Sequence, residues 1–183
     1  SNVVTARKNR TEFFLHHRSE FINQVIDEIN KAAQKTYGEL AVRLNGTSDV
    51  KLVEMAVSTG RTIAPNVVFY DYTKIAKKAG ERVLASGHRY VVTFSRSESN
   101  EGEVLQHLRA GGVAAVVFET LPYEYKGFRV VDGDERDDLM LDVKGGTILG
   151  LRAKGKARKD RSGFVVSNDM RAQSLGFANF NEL

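Results

Sequence analysis

Four short apolar runs, each rich in β-branched residues and each followed at once by polar side chains, constrain the fold of this chain most. They predict strands at residues 40–45, 66–71, 89–94 and 113–118. The segments between them have the length of helices, which we predict at residues 50–59, 74–86 and 100–110. Strands that alternate with helices in this way are typical of a parallel sheet built from β-α-β units.

The first 37 residues predict one or two amphipathic helices ahead of the sheet. Apolar residues between Phe14 and Ala33 recur at steps of three and four, which places them on one helix face. Residues 17–20 are expected to divide this segment, with Ser19 as N-cap of the second helix and Glu20 in its first turn. Gly38 is expected to end the segment.

The fold class predicted from these patterns is α/β, with a mainly parallel sheet resembling a partial (half) barrel. One domain over residues 1–183 is expected, with helices at 1–37, β-α units at 38–120 and an irregular part at 121–183. Short strands are expected in that last part at 128–131, 147–151 and 164–166. A half barrel leaves edge strands, which a second copy of the chain or a segment ahead of Ser1 would cover.

The composition sets limits on location and chemistry. Of 183 residues, 42% are hydrophobic and 27% are charged, which is usual for a globular domain, and no apolar run reaches the length of a membrane span. We therefore expect a cytoplasmic protein. The chain has no cysteine, which excludes disulfides, zinc thiolate sites and cysteine-ligated iron–sulfur clusters formed by this chain alone.

Ligands of parallel α/β folds bind beyond the carboxyl ends of the strands, where the polar clusters of this chain fall. Many of these side chains also suit a simpler role as helix caps: Ser48 or Asp49, Thr73, and Ser97 or Ser99. Glu101 or Glu103 would then lie in the first turn of the helix that Ser97 or Ser99 begins. Capping does not explain Arg96, which we predict to contact an anion. Tyr72 would add a stacking surface together with Tyr70. The candidate ligand-binding residues are Asn45, Thr47, Ser48, Asp49, Asp71, Tyr72, Lys74, Ser95, Arg96, Glu98 and Glu119.

A basic run at residues 152–161 follows the last long apolar run. Its cations can neutralise the phosphates of a nucleic acid, or they can simply form a solubilising loop. The formal net charge of +4 adds slight support for a polyanionic partner. The candidate nucleic-acid-binding residues are Arg152, Lys154, Lys156, Arg158, Lys159 and Arg161.

An acidic turn at residues 132–138 offers hard carboxylate oxygens, with Asp132 and Asp134 as candidate ligands for Mg²⁺ or Mn²⁺. The turn does not fit a calcium loop, because Asp137 stands where that loop requires glycine. A solvated acidic turn is the simpler interpretation. No cofactor is expected to be held by this chain, apart from such a metal ion.

Five motifs occur in this order in a group of phage- and plasmid-encoded proteins: residues 43–49 (RLNGTSD), 69–74 (FYDYTK), 93–98 (TFSRSE), 131–134 (VDGD) and 151–157 (LRAKGKA). On these motifs the chain resembles the phage gene product 88 family. The resemblance implies a cysteine-rich segment ahead of Ser1, similar to radical-SAM barrel enzymes. Because this chain lacks cysteine, no catalytic residue is carried over.

Three classes of function follow from these observations. The first is a phage- or plasmid-associated protein that binds a phosphate-bearing ligand, such as nucleic acid, at the strand ends. The second is an enzyme, either the remainder of a radical-SAM-like barrel or a catalyst of metal-assisted phosphate chemistry. The third is a structural or host-interaction protein that acts through an exposed sheet edge.

Overall fold

The computed structural model of the protein describes residues 2–46 and 50–175, and for Ser174 only the backbone. Three of the candidate ligand residues, Thr47, Ser48 and Asp49, therefore lie outside the described residues. The prediction that Ser48 or Asp49 caps a helix lies outside them as well. Within the described ranges, no helix has both the length and the apolar character that a membrane crossing requires.

Two helices open the chain, α1 (Asn2–His16) and α2 (Arg18–Ala33). The predicted break is confirmed, but the N-cap of α2 is His17 rather than Ser19. The prediction fails because the backbone leaves helical geometry for one residue only, so Ser19 already lies within the first turn. Glu20 lies in that turn as expected. The apolar face of α2 is buried, whereas α1 has no buried residue.

Within residues 2–46 and 50–175, eight strands form the sheet: β1 (Leu40–Val42), β2 (Val67–Thr73), β3 (Gly80–Val83), β4 (Arg89–Ser95), β5 (Val113–Phe118), β6 (Glu124–Tyr125), β7 (Phe128–Asp132) and β8 (Thr147–Arg152). The same part of the chain contains three further α-helices, α3 (Leu52–Ser58), α4 (Glu101–Arg109) and α5 (Asn168–Ser174). The predicted strand at 164–166 is reduced to a single parallel bridge between Val166 and Phe118.

The strand order is β1-β2-β4-β5-β8-β7-β6, with β3 paired to β4 off this path. The pairs β1/β2, β4/β5, β5/β8 and β7/β8 are parallel, and β6/β7 is antiparallel. The α/β class with a mainly parallel sheet is thus confirmed. The sheet is open, and β8 lies between β5 and β7 rather than in chain order, so the likeness to a half barrel is not confirmed.

The predicted helix at 74–86 is wrong. The segment instead forms a 3₁₀ turn (Ala76–Lys78) and then β3, in which half-buried and exposed residues alternate. That period of two belongs to a strand. Gly80, in the middle of the segment, adopts a positive φ of 123°, which the interior of a helix does not contain. The remaining predicted elements are found with ends shifted by a few residues.

The described residues fall into two compact units. The first runs up to Phe69 and includes 82–90, and its core is built by α2 packing on α3 and β1. The second contains 70–81 and the chain from Val91 onward. Its core centres on Phe94, Phe118 and Ile148, with Leu108 from α4 packed against the sheet. The predicted candidate residues from Asp71 onward belong to this second unit.

The two-residue turn between β6 and β7 contains Lys126 with φ 53° and Gly127 with φ 83°. A type I′ hairpin turn of this kind favours asparagine followed by glycine, because lysine is strained at positive φ. Lys126→Asn is therefore expected to raise the free energy of unfolding by about 0.5–1 kcal/mol in urea denaturation. Lys144→Asn, at an exposed site with negative φ, is the control and should leave stability unchanged. Equal effects of both substitutions would contradict the prediction.

Candidate functional site

An open cleft of about 1240 Å³ lies where β5 and β8 end. Its walls come from the chain just after β8, from Glu119 just after β5, and from the start of α5. This is the carboxyl edge of two neighbouring parallel strands, the place where α/β folds bind ligands. The position of the cleft fits the prediction of strand-end binding, and the residues that line it all belong to the second unit.

One wall of the cleft is a loop that we call the basic loop, residues 153–166. Both of its ends are bonded to the end of β5: the Ala153 N–H donates to the Phe118 carbonyl and the Val166 N–H to the Val117 carbonyl, each at 2.9 Å. A 3₁₀ turn (Gly155–Lys159) forms its first half. A loop with closely spaced ends and its own internal turn has the character of an Ω-loop.

Asp160 organises the second half of the basic loop. Its carboxylate accepts the Ser162 hydroxyl at 2.7 Å and the Val165 N–H at 3.1 Å. These hydrogen bonds from Ser162 and Val165 hold the pKa of Asp160 below its ordinary value. The Ser162 hydroxyl oxygen in turn accepts the Phe164 N–H at 3.3 Å. Hydrogen bonds to the Asp160 carboxylate and to the Ser162 hydroxyl therefore hold the second half of the basic loop in one conformation.

Three cations of the basic loop line the cleft, namely Arg158, Lys159 and Arg161. All three are exposed, and within the described residues none forms an ion pair with a carboxylate. Arg158 makes one long contact, from Nε to the Ala153 carbonyl at 3.4 Å. Lys156 is also exposed but is not part of the cleft wall. Half of the cations of the predicted basic run therefore line the cleft without an ion pair, and Arg152 lines it as well but is paired.

The other two cations of the run are paired with the acidic turn. The Arg152 guanidinium lies 2.8 Å from the Asp132 carboxylate, and the Lys154 ammonium lies 2.8 Å from that of Asp134. The Arg152 N–H also donates to Asp134 at 3.0 Å. Partial burial alone would raise the pKa of Asp134, but these bonds from Lys154 and Arg152 outweigh it and lower the pKa. The pairs join β7 to β8 at their carboxyl ends.

A metal role for Asp132 and Asp134 stays a prediction. Across residues 2–46 and 50–175, no group of three or more histidine, aspartate or glutamate side chains is arranged to hold a metal ion. The cations of Arg152 and Lys154 already balance the two carboxylates.

Arg96 is the most buried cation of the predicted set, with 4% of its surface exposed. Its Nε donates to Glu101 Oε1 at 3.0 Å, and its Nη1 donates to the carbonyls of Gly163 and Phe164 at 2.8 and 3.1 Å. Arg96 therefore contacts the basic loop from beneath. The predicted contact with an anion stays a prediction, and the bonds observed are all to protein groups.

A tyrosine completes this cluster. The Tyr125 hydroxyl donates to the same oxygen of Glu101 at 2.5 Å, and the Tyr125 ring packs edge-on against Phe118. Partial burial would raise the pKa of Glu101, but hydrogen bonds from Tyr125 and Arg96, together with the charge of Arg96, hold the pKa below its ordinary value. Burial and the neighbouring Glu101 raise the pKa of Tyr125. The pair is thus an ionised carboxylate and a neutral phenol.

Of the other candidates, Lys74 and Glu119 also lie at the basic loop. The Lys74 ammonium is 4.9 Å from the centre of the Phe164 ring, a cation–π contact. Glu119 lines the cleft, and its Oε2 accepts the Asn168 N–H at 3.0 Å. Its own N–H donates to the Val166 carbonyl. The structure therefore brings together Lys74, Arg96, Glu119 and the three loop cations.

The remaining candidates lie elsewhere. Asp71 is buried and accepts the Tyr72 N–H, and the Tyr72 hydroxyl reaches the Asp137 carbonyl at 3.4 Å. Ser95 ends β4 with its carbonyl bonded to Asn100, and Glu98 is exposed in the turn that follows. Asn45 belongs to the first unit, where it is buried and donates to the Val50 carbonyl.

Two side-chain roles differ from prediction. Tyr70 is 7% exposed, so it offers no stacking surface beside Tyr72. The reason is that β2 is buried on both faces for most of its length, as central strands of parallel sheets are. The N-cap of α4 is Asn100 rather than Ser97 or Ser99. Asn100 instead braces the preceding turn by accepting the Ser97 N–H at 2.7 Å.

Sequence reasoning missed Glu101, Tyr125 and Asp160 as parts of the site. Glu101 was expected only as a first-turn residue of α4, a position it does occupy. No local sequence pattern indicates the role of Tyr125, because that role depends on where the β6–β7 hairpin lies relative to α4. Asp160 was the single acid in a basic run, and that contrast was the one available clue.

Comparison with known proteins identifies a family for the chain. The family model described as Gene product 88 matches residues 1–168, which is most of the sequence. No curated protein and no solved structure matches at a significant level. The chain therefore belongs to the gene product 88 family, as the resemblance of its motifs predicted. The likeness to radical-SAM barrel enzymes stays a prediction.

Proposed function

We propose that this member of the gene product 88 family binds the phosphodiester backbone of a nucleic acid in the cleft beside the basic loop, in the cytoplasm of the host cell. The observation that carries the proposal is the set of three exposed cations, Arg158, Lys159 and Arg161, on one wall of a cleft at the carboxyl edge of the sheet. Neutralisation of phosphates by arginine and lysine supplies most of the affinity in sequence-independent binding.

The order of the loop supports this assignment. The basic loop is held at both ends by β5, internally by Asp160, and from beneath by Arg96. A ligand therefore does not have to order the loop when it binds, which removes one cost of association. A purely solubilising loop has no need of such bracing.

The lining of the cleft indicates contact with the backbone rather than the bases. Among the described residues that form its walls, none is aromatic. Stacking of bases on aromatic rings is therefore not available among these residues, and the guanidinium planes of Arg152, Arg158 and Arg161 are the remaining flat surfaces. We expect little dependence on nucleotide sequence.

Salt titration with labelled oligonucleotides tests the proposal. For a single strand that contacts three cations, the logarithm of the binding constant should fall against the logarithm of salt concentration with a slope of about −2. Affinity should then drop about 20-fold between 50 and 200 mM salt. Fluorescence anisotropy with single-stranded DNA, single-stranded RNA and duplex DNA measures both quantities and identifies the preferred form.

The matched variants remove three positive charges each. Arg158→Ala/Lys159→Ala/Arg161→Ala should abolish most of the salt-dependent binding. Lys35→Ala/Lys77→Ala/Lys144→Ala removes exposed lysines outside the cleft and should bind as the unmodified chain does. Equal losses of affinity in both variants would show that only the net charge of the protein matters. The proposal that the cleft is the binding site would then be wrong. Tighter binding of a nucleoside triphosphate than of any oligonucleotide would replace the proposed ligand by a small phosphate compound.

Metal-assisted phosphate chemistry is the second candidate, because the carboxylates of Glu119 and Asp169 line the same cleft as the cations, although within the described residues they do not form part of a ready-made group of three metal ligands. Carboxylates beside a phosphate site are what a divalent ion needs in such reactions. Incubation of the bound oligonucleotide with Mg²⁺ or Mn²⁺ tests this candidate. Shortened strands that disappear in Glu119→Ala would support it, and intact strands would count against it.

A further inference from the structure

Arg96 has hydrogen bonds to two separate parts of the second unit. On one side it bonds to Glu101, the first residue of α4, and on the other to the carbonyls of Gly163 and Phe164 in the basic loop. It follows β4 directly, and its own N–H donates to the Ala115 carbonyl of β5. A single buried residue thus connects the sheet through its backbone, and a helix start and the loop that carries the cations through its side chain.

We propose that Arg96 is the positioning residue of the basic loop, and that Glu101 and Tyr125 hold its guanidinium in place so that Arg158, Lys159 and Arg161 face the cleft. The consequence for ligand binding rests on the proposed function, whereas the effect on the loop does not. No other cation among the described residues donates hydrogen bonds from its side chain to residues 163–164.

The geometry requires arginine at this position. A guanidinium presents five donors in a rigid plane, so Nε and Nη1 can serve a carboxylate and two carbonyls at once. A lysine ammonium is a single point on a flexible stem and cannot span these acceptors with the same geometry. Burial of the charge is tolerated because Glu101 compensates it.

The tyrosine hydroxyl fixes the carboxylate. Glu101 is one-third exposed, so its side chain would otherwise be free to turn toward water. The 2.5 Å hydrogen bond from Tyr125 to the oxygen that Arg96 also uses keeps that oxygen directed at the guanidinium. Tyr125 is itself fixed by its ring contact with Phe118 at the base of the loop.

Limited trypsin digestion of the full chain tests the positioning role without any ligand, because the enzyme cleaves after Arg158, Lys159 and Arg161. In Arg96→Lys and Arg96→Gln, cleavage at these three bonds should accelerate at least about tenfold, while cleavage after Lys35 in the first unit stays unchanged. Tyr125→Phe, which removes only the hydroxyl, should give a smaller acceleration at the same bonds. Arg109→Lys is the control for an exposed arginine of α4 and should have no effect.

Two results would overturn the proposal. One is unchanged cleavage of the loop in both Arg96 variants. The other is equal acceleration after Lys35 and at the loop, because Arg96 would then serve the fold as a whole. Tyr125→Phe leaves both Arg96 and Glu101 in place. It therefore still tests the positioning role if the Arg96 variants lose their structure as a whole.

Measurement of oligonucleotide affinity separates this proposal from the proposed function. Arg96→Lys retains all three loop cations, so weaker binding together with faster loop cleavage supports both proposals. Faster cleavage with unchanged affinity would sustain the positioning role and reject the cleft as the binding site.

Discussion

Replacing Phe118 by alanine is expected to lower the free energy of unfolding by about 3–5 kcal/mol. Phe118 is fully buried at the end of β5, and its ring meets that of Tyr125 edge-on at a centroid distance of 5.3 Å. Its removal leaves a cavity in the core of the second unit, in addition to the lost transfer free energy of the ring. Chemical denaturation followed by circular dichroism measures the change.

Two controls accompany this substitution. Phe118→Leu keeps most of the volume and is expected to cost about 1.5 kcal/mol or less. Tyr123→Ala removes an aromatic ring that is 83% exposed and should change stability by about 0.5 kcal/mol at most. If Phe118→Ala lowered the free energy of unfolding by less than about 1 kcal/mol, the prediction would be wrong, because Phe118 would then not be tightly packed in the core.

Phe118 links the core to the cleft, so its loss is also expected to weaken the proposed binding of nucleic acid. Its carbonyl accepts the N–H of Ala153 at the start of the basic loop, and Val166 bridges to it at the end of the loop. The same residue that fills the core therefore anchors both ends of the loop. Variants with a weakened core should lose ligand binding before they unfold completely.

The strands could be predicted where a continuous apolar run has clear ends. The run at 113–118 lies between Gly111-Gly112 and the polar pair Glu119-Thr120, and β5 has these bounds. The segment at 74–86 has no such ends, because its few apolar residues fit a helix face as well as an alternating strand. Its structure is decided by the pairing of β3 with β4, which local sequence does not encode.

The insertion of β8 between β5 and β7 could not be predicted either. Sequential strands usually lie side by side, and the β-α rhythm ahead of β5 favours that order. Gly150 lies in β8, the strand that departs from the sequential order. A Cβ atom at this position would lie 2.6 Å from Val130 and 2.7 Å from Leu121. A glycine inside an apolar strand indicates a close approach of neighbours, but it does not say which neighbours these are.

The sequence indicated which segments of the candidate site are charged, but not which of their residues form ion pairs with one another. The basic run and the acidic turn were both recognised, but Arg152 and Lys154 meet Asp132 and Asp134 only because β7 and β8 lie in parallel register. Such pairs form between residues about 20 positions apart, and no local pattern reveals them. Among the described residues, the cations that line the cleft without an ion pair are Arg158, Lys159 and Arg161, which all follow these pairs in the chain.

Arg96 shows the same limit. Its position after β4 made it conspicuous, and the prediction that helix capping does not explain it holds. Its partners Gly163 and Phe164 lie 67 and 68 residues further along the chain and contribute backbone carbonyls, which no side-chain motif can reveal. Sequence therefore located the residue and missed the acceptors that give it a structural role.

Breaking the pair between Arg96 and Glu101 is expected to cost about 3 kcal/mol, the lower end for a buried ion pair because Glu101 is partly exposed. Arg96→Met leaves two loop carbonyls without their donor and leaves Glu101 with Tyr125 as donor but without its counter-charge. Glu101→Gln leaves a buried guanidinium without its counter-charge. The double variant should cost less than the sum of the two, with a coupling of about 1–3 kcal/mol in urea denaturation. Strict additivity would contradict a direct interaction.

The pH dependence of stability provides an independent check on the same pair. Because the folded protein holds the pKa of Glu101 below its ordinary value, ionised Glu101 stabilises the fold at every pH above that ordinary value. This contribution is lost as the pH falls through the lowered pKa, where the carboxylate becomes protonated. The difference in unfolding free energy between the unmodified chain and Glu101→Gln should therefore be largest near pH 7 and shrink in acid. A difference that stays constant into strongly acidic solution would show that Arg96 draws no stabilisation from the charge of Glu101, and that the carbonyls of the basic loop alone keep the guanidinium buried.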